Sequence, residues 1–184
     1  MNLTPSWDLA IIVFFGIVMA YSFIIGKHQS VKIIIGTYIA IIASQGIGNV
    51  LGRMIGDSTT AIHILGIGFD VTVLAIVKVV LLLTFAITFA IRSGIDVSYS
   101  KQTNTFLNIF YTGIFGLCTA GLILSALFTF ATGGGILDHH TLQWNQLGPI
   151  ASGSQLLLLL VLNPEIWFTL PALLILATGF LHND

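Results

Sequence analysis

Lys78 stands about two helical turns into the apolar run VTVLAIVKVVLLLTFAITFAI, and its cationic end needs an explanation there. A basic side chain at the centre of a membrane helix costs about 2.5–3.5 kcal/mol on insertion scales, so its partner or its route to water decides its role. Asp70 lies eight residues earlier, about 12 Å along a helix and about 80° around it, too far for a direct bond. His63, seven residues before Asp70, falls on the same side. One use of His63, Asp70 and Lys78 is a polar track that moves ions or protons. The other use is structural. Lys78 either snorkels to the interface along its aliphatic stem or pairs with a carboxylate on a neighbouring helix or subunit. One lysine is not a relay, and the structural use is the expectation.

The remaining reactive residue types are sparse. Asp138, His139 and His140 are consecutive, but adjacent histidines point apart on regular structure and the His-Glu-x-x-His spacing of a metalloprotease helix is missing. An exposed loop explains them, and no metal or cofactor is expected. Cys118 is the single cysteine and lies in an apolar stretch, which excludes an intramolecular disulfide and suits a small hydrophobe. Ser44 and Ser125 lie in apolar runs, where a hydroxyl bonds either across helices or to its own backbone. The glycines lack the strand-turn-helix context of a nucleotide-binding loop. No catalytic constellation can be built from spacing, so an enzyme is not expected.

The elements that must position these residues are fixed by composition. Hydrophobic residues make up 56% of the 184-residue chain and charged residues 7%, with a mean hydropathy of +1.02. Soluble domains carry about 25% charged residues. Six Lys plus Arg and seven Asp plus Glu cannot cover a water-soluble globule, so an all-α integral membrane protein is expected, forming one membrane domain. The net charge of −1 gives no basic patch for nucleic acid. The start lacks the basic n-region of a cleavable signal peptide. Thr4-Pro5 instead reads as an N-cap with proline at the first helical position, and Trp7 as an interfacial anchor.

A crossing takes roughly 20 apolar residues, and four candidates emerge: about 9–26, 31–51, 71–91 and 106–132. Gly46 and Gly48 suggest an irregular far end for the second. The third is preceded by IHILGIGF, and the fourth stops at Gly133-Gly134-Gly135. The apolar pieces at about 156–162 and 166–181 flank Asn163-Pro164-Glu165. Each is too short to cross alone, so the expectation is a four-helix transmembrane bundle with a hydrophobic C-terminal appendage: kinked, re-entrant or a fifth crossing. Two separate pieces are favoured over one clean span, because proline interrupts the helix and a buried Glu165 is expensive.

The second crossing carries a ladder of small residues at a strict spacing of four: Gly36, Ala40, Ser44, Gly48, Gly52 and Gly56. In water glycine weakens a helix by about 1 kcal/mol relative to alanine. In lipid, small residues at this spacing let a second backbone approach closely. A spacing of four drifts about 40° per step around the helix, so two neighbours share the ladder. Gly113, Gly116, Ala120 and Gly121, with Thr112 and Ser125, form a second set on the fourth crossing. Its expected use is packing against the ladder, leaving a further surface for a second copy or another subunit.

Lys27, Lys32, Arg92 and Lys101 fall in the first and third connections, which places these in the cytoplasm and the N-terminus outside. Asp8 opens the first apolar run, Gly26 precedes basic Lys27, and Gly36 lies in the second run. Gly113 and Gly116 come early in the fourth, and Trp144 stands in a polar stretch. Over roughly residues 6–150 this order resembles the colicin V production protein (CvpA-like) family. The resemblance implies a non-enzymatic protein of the bacterial inner membrane, linked to secretion or envelope maintenance. The functional expectation is a helix-packing subunit or scaffold of a membrane assembly, with the lipid bilayer and further copies or subunits as partners. A small transporter or channel subunit using the Lys78 track is the alternative.

Overall fold

The computed structural model describes residues 7–56, 71–92, 105–131, 154, 156, 160 and 163–180. Four helices carry the fold: α1 (Trp7–Gly56), α2 (Val71–Arg92), α3 (Thr105–Ala131) and α4 (Pro164–Phe180). Among the described residues there is no strand. Three stretches, Trp7–Arg53, Val73–Arg92 and Phe106–Ala131, are long and apolar enough to cross a membrane. His63, Asp70, Asp138, His139, His140, Trp144 and the Thr4-Pro5 cap lie outside the described residues.

A straight helix of the 50 residues in α1 would be about 75 Å long, more than twice what a bilayer core requires. Gly26 breaks it. Its backbone sits at φ 77°, ψ 173°, a region open essentially to glycine alone. The break folds the chain back on itself. Unbroken, Phe15 and Tyr38 would stand about 35 Å apart. They instead meet consecutive residues of α4: Phe15 packs edge-on to Trp167 with ring centroids 5.9 Å apart, and the Tyr38 hydroxyl donates to the Phe168 carbonyl. Residues 7–25 and 27–56 are therefore two helices joined at one glycine. Ser30 Oγ donates to the Gly26 carbonyl at 3.0 Å and so gives the final carbonyl before the second helix a partner. Lys27, Ser30 and Val31 are buried beside the break.

The helices pack in antiparallel pairs. Residues 7–25 run antiparallel to α3: Ile11 packs with Leu124, while Met19 and Ser22 lie over Gly116 and Phe23 over Gly113. Residues 27–56 run antiparallel to α2, with Phe89 at Gly36, Lys78 at Gly48 and Leu74 at Gly52. The main core joins Val31, Ile34, Ala40 and Ile41 to Leu82, Phe115, Leu122, Ala126 and Phe130.

The second expected crossing is helical to Gly56, so the irregular far end expected from Gly46 and Gly48 is not found. Glycine's helix penalty is of order 1 kcal/mol per residue and is outweighed by the α2 side chains seated on Gly48 and Gly52. At the other end, Asn163 opens α4 by accepting from the Ile166 N–H at 3.2 Å. Pro164 takes the first helical position, where its missing N–H is not required. Glu165 is exposed in that first turn, where the helix dipole favours an anion.

Candidate helix-packing site

The small residues are where helices touch. A Cβ on Gly36 would lie 2.9 Å from Phe89 Cβ, and one on Gly48 would lie 2.5 Å from Lys78 Cε and 2.6 Å from its Cγ. At Gly52 the distance to Leu74 Cδ2 would be 3.4 Å. Ala40 and Ser44 are fully buried between these contacts, and Gly56 closes the helix. The ladder thus receives α2 from Gly36 to Gly52, about 24 Å along the helix.

The second set has other partners, which corrects the expected pairing of the two sets. Gly113 receives Phe23, Gly116 receives Met19 and Ser22, and the Cε3–Cζ3 edge of the Trp167 ring of α4 meets Gly121. Ala120 is fully buried. The first fold-back helix and α4 occupy this face of α3, so α2 has the ladder side. Spacing alone marks which residues permit close approach, but it carries no address for the neighbour.

Lys78 belongs to the ladder contact. It is 4% exposed, and its aliphatic stem crosses Gly48 where any larger residue would collide. It starts about 10 Å in from the first residue of α2. His63 and Asp70 are outside the described residues, so the proposed track rests here on Lys78 alone. Among the described residues, no group of three His, Cys, Asp or Glu side chains comes together. Cys118 is fully buried, in keeping with a small hydrophobe.

Five interior hydroxyls are bonded along their own helices. Thr37 donates to Ile33, Ser44 to Ala40, Thr112 to Asn108, Thr119 to Phe115 and Thr129 to Ser125, at 2.7–2.8 Å. Such bonds satisfy these donors inside one helix. Ser125 Oγ and Trp167 Nε1 are buried and make no hydrogen bond among the described residues.

Two polar contacts escaped the sequence reading. Asp8 Oδ1 accepts from the Ser154 hydroxyl and from the Leu156 backbone N–H at 3.2 Å, tying the C-terminal region to the start of α1. An acid opening an apolar run is the only sequence signal of this. Pro171, fully buried within α4, removes the N–H that would serve the Trp167 carbonyl and crowds that turn. Tyr38 answers from the facing helix by donating to the next carbonyl, that of Phe168. A neighbouring side chain that satisfies loosened backbone is how apolar helices tolerate proline.

A third feature faces outward. Gln45 and Asn49, with Tyr38, Ile41, Ile42, Gly46 and Phe168, line an open groove of about 430 Å³. Gly46 and Asn49 are exposed. Comparison with known proteins finds no matching protein family, no matching curated protein and no matching solved structure.

Proposed function

We propose that this chain is a non-catalytic helix-packing subunit of a membrane assembly, set in the bacterial cytoplasmic membrane with its N-terminus outside. The observation that carries the proposal is the occupancy of the small residues. Phe89, Lys78 and Leu74 sit on the ladder, and Ser22 and Trp167 sit on α3. The most distinctive pattern in the sequence is spent on close contact, and Lys78 of α2 takes part in that contact. Lipid is as apolar as leucine, so association inside it depends on such backbone-near contacts, through dispersion and weak hydrogen bonds.

Support for lipid contact comes from the outer surface. Ile17, Ile24, Ile76, Ile87, Leu173 and Leu176 are all more than half exposed, an apolar cover that a protein in water avoids. Four crossings (7–25, 27–56, α2 and α3), with the C-terminal region alongside, fit this surface. The orientation rests on the lysines and arginines of the first and third connections. The CvpA-like resemblance adds a role in secretion or envelope maintenance. Gly26, Gly113 and Gly116, which carry that resemblance, are a chain reversal and two helix contacts in the structure.

Lys78→Met discriminates between assembly and transport. The packing reading expects the assembly to form as before and ion flux through proteoliposomes to be unchanged, because methionine fills the same space over Gly48. Loss of a flux that the unaltered protein shows, with the assembly intact, would favour the transporter reading.

A further inference from the structure

Basic side chains gather at the end of the molecule where the chain folds back. Phe89 meets Gly36, so Lys32, one turn before Gly36, and Arg92, about one turn after Phe89, stand at one level of the contact with α2. Lys32 is turned about 40° from Gly36 and Arg92 about 60° from Phe89, which sets the two cations on either side of one seam. Lys27 and His28 come about 6–8 Å further along the helix, beside the break at Gly26. Lys27 is buried, Lys32 is half-buried, and His28 and Arg92 are exposed. The acids among the described residues lie elsewhere. Asp8 opens α1 and Glu165 opens α4. Leu160 clusters with Ile11 and Trp167 meets Phe15, so both acids stand beyond Phe15, about 16 Å or more from the level of Gly26.

Two cations across one seam repel each other and together raise the positive potential at their level. An anion between them offsets both effects, and an arginine fork matches phosphate oxygens in particular. The surrounding surface points to the source of that anion. The three most exposed large apolar side chains among the described residues are Ile24 (82%), Phe106 (79%) and Ile91 (78%). Ile24 stands two residues before Gly26 and Ile91 is next to Arg92. Phe106 lies in the first turn of α3, which the seating of Phe23 on Gly113 brings to the same end. Cations collared by apolar side chains suit a lipid interface, with acyl chains against the collar and headgroups at the cations. A free anion gains nothing from the collar. In the proposed orientation this end is cytoplasmic, the side whose leaflet carries the negative surface potential. We propose that Lys32 and Arg92, with Lys27 and His28 beside them, bind the phosphate of an anionic phospholipid at the fold-back end. This site rests on the membrane setting of the proposed function and adds the class of lipid it selects.

Thermal unfolding in mild detergent, followed by circular dichroism with added lipid, tests it, because a ligand of the folded state raises the midpoint. Phosphatidylglycerol is expected to raise the midpoint about threefold more than phosphatidylcholine with the same acyl chains. Lys32→Gln combined with Arg92→Gln should abolish that difference, while Arg53→Gln, at the opposite end of the 27–56 helix, should keep it. Sodium chloride at about 1 M shortens the screening length to about 3 Å and should also remove the difference, with no substitution in the protein. Native mass spectrometry should find phosphatidylglycerol retained on the unaltered chain and about tenfold less of it on the double variant. Equal shifts from the two lipids overturn the proposal, as does a difference that survives the double substitution or the salt. An equal shift from inorganic phosphate also overturns it, since the site would then take a free anion. Particle mass separates this site from the assembly reading. A monomer that still prefers phosphatidylglycerol supports the lipid site and refutes assembly, and a larger particle without the preference does the reverse.

Discussion

Replacing Gly121 with alanine puts a methyl group where the Trp167 ring now lies. The new carbon would sit 2.7 Å from Trp167 Cδ2 and nearer still to two other ring atoms, against an ordinary carbon contact of about 3.5–4.0 Å. The nearest ring atoms have to retreat by more than about 1.5 Å. The ring's freedom to do so is small, because Phe15 stands against it at 5.9 Å and 60°. Overpacking of this kind costs about 1–3 kcal/mol, and disturbing the aromatic pair adds about 0.5–1.5 kcal/mol. The expected net loss is about 2 kcal/mol, roughly 30-fold in the folded-to-unfolded ratio. Reversible unfolding in mixed micelles, followed by far-ultraviolet circular dichroism, measures it. Trp167→Leu removes the colliding ring, so the pair should be coupled: the double variant should be at least about 1 kcal/mol more stable than the two single losses predict. A neutral Gly121→Ala, or losses that add to within about 0.5 kcal/mol, would refute the placement of α4 on α3.

Other positions give independent checks. Gly26→Ala forces a side chain into backbone at φ 77°, ψ 173° and is expected to cost of order 1–3 kcal/mol, read by the same unfolding assay. Tyr38→Phe deletes the hydroxyl that serves the Phe168 carbonyl, and should cost about 0.5–1.5 kcal/mol. Asp8→Asn weakens the bonds to Ser154 and Leu156 and should expose the C-terminal region to protease before any global unfolding. Replacing Ala40, Ser44 and Gly48 together by leucine should break the α1–α2 contact and abolish co-purification of assembly partners; unchanged co-purification would contradict it.

What was legible in the sequence is what composition and covalent geometry dictate. The helical class follows from long apolar runs almost without charge, and the break at Gly26 from a glycine before a basic cluster. Pro164 was readable as an interruption, and the structure makes it a helix start for the same reason, its missing N–H. The identity of each helix's neighbour was not legible. The ladder and the set on α3 have complementary spacing, yet Lys78 and Phe89 fill one while Ser22 and Trp167 fill the other. That choice depends on which large side chains arrive at which depth, and depth is set by the fold-back at Gly26.

The central claim is that this chain exists to be packed against, by its own helices within and by another chain without. The mass of the intact particle, released from native membranes in mild detergent, tests that most directly. The account predicts a particle larger than one 19.8 kDa chain, built with further copies or other subunits. A bare monomer that persists at every protein-to-detergent ratio would contradict it.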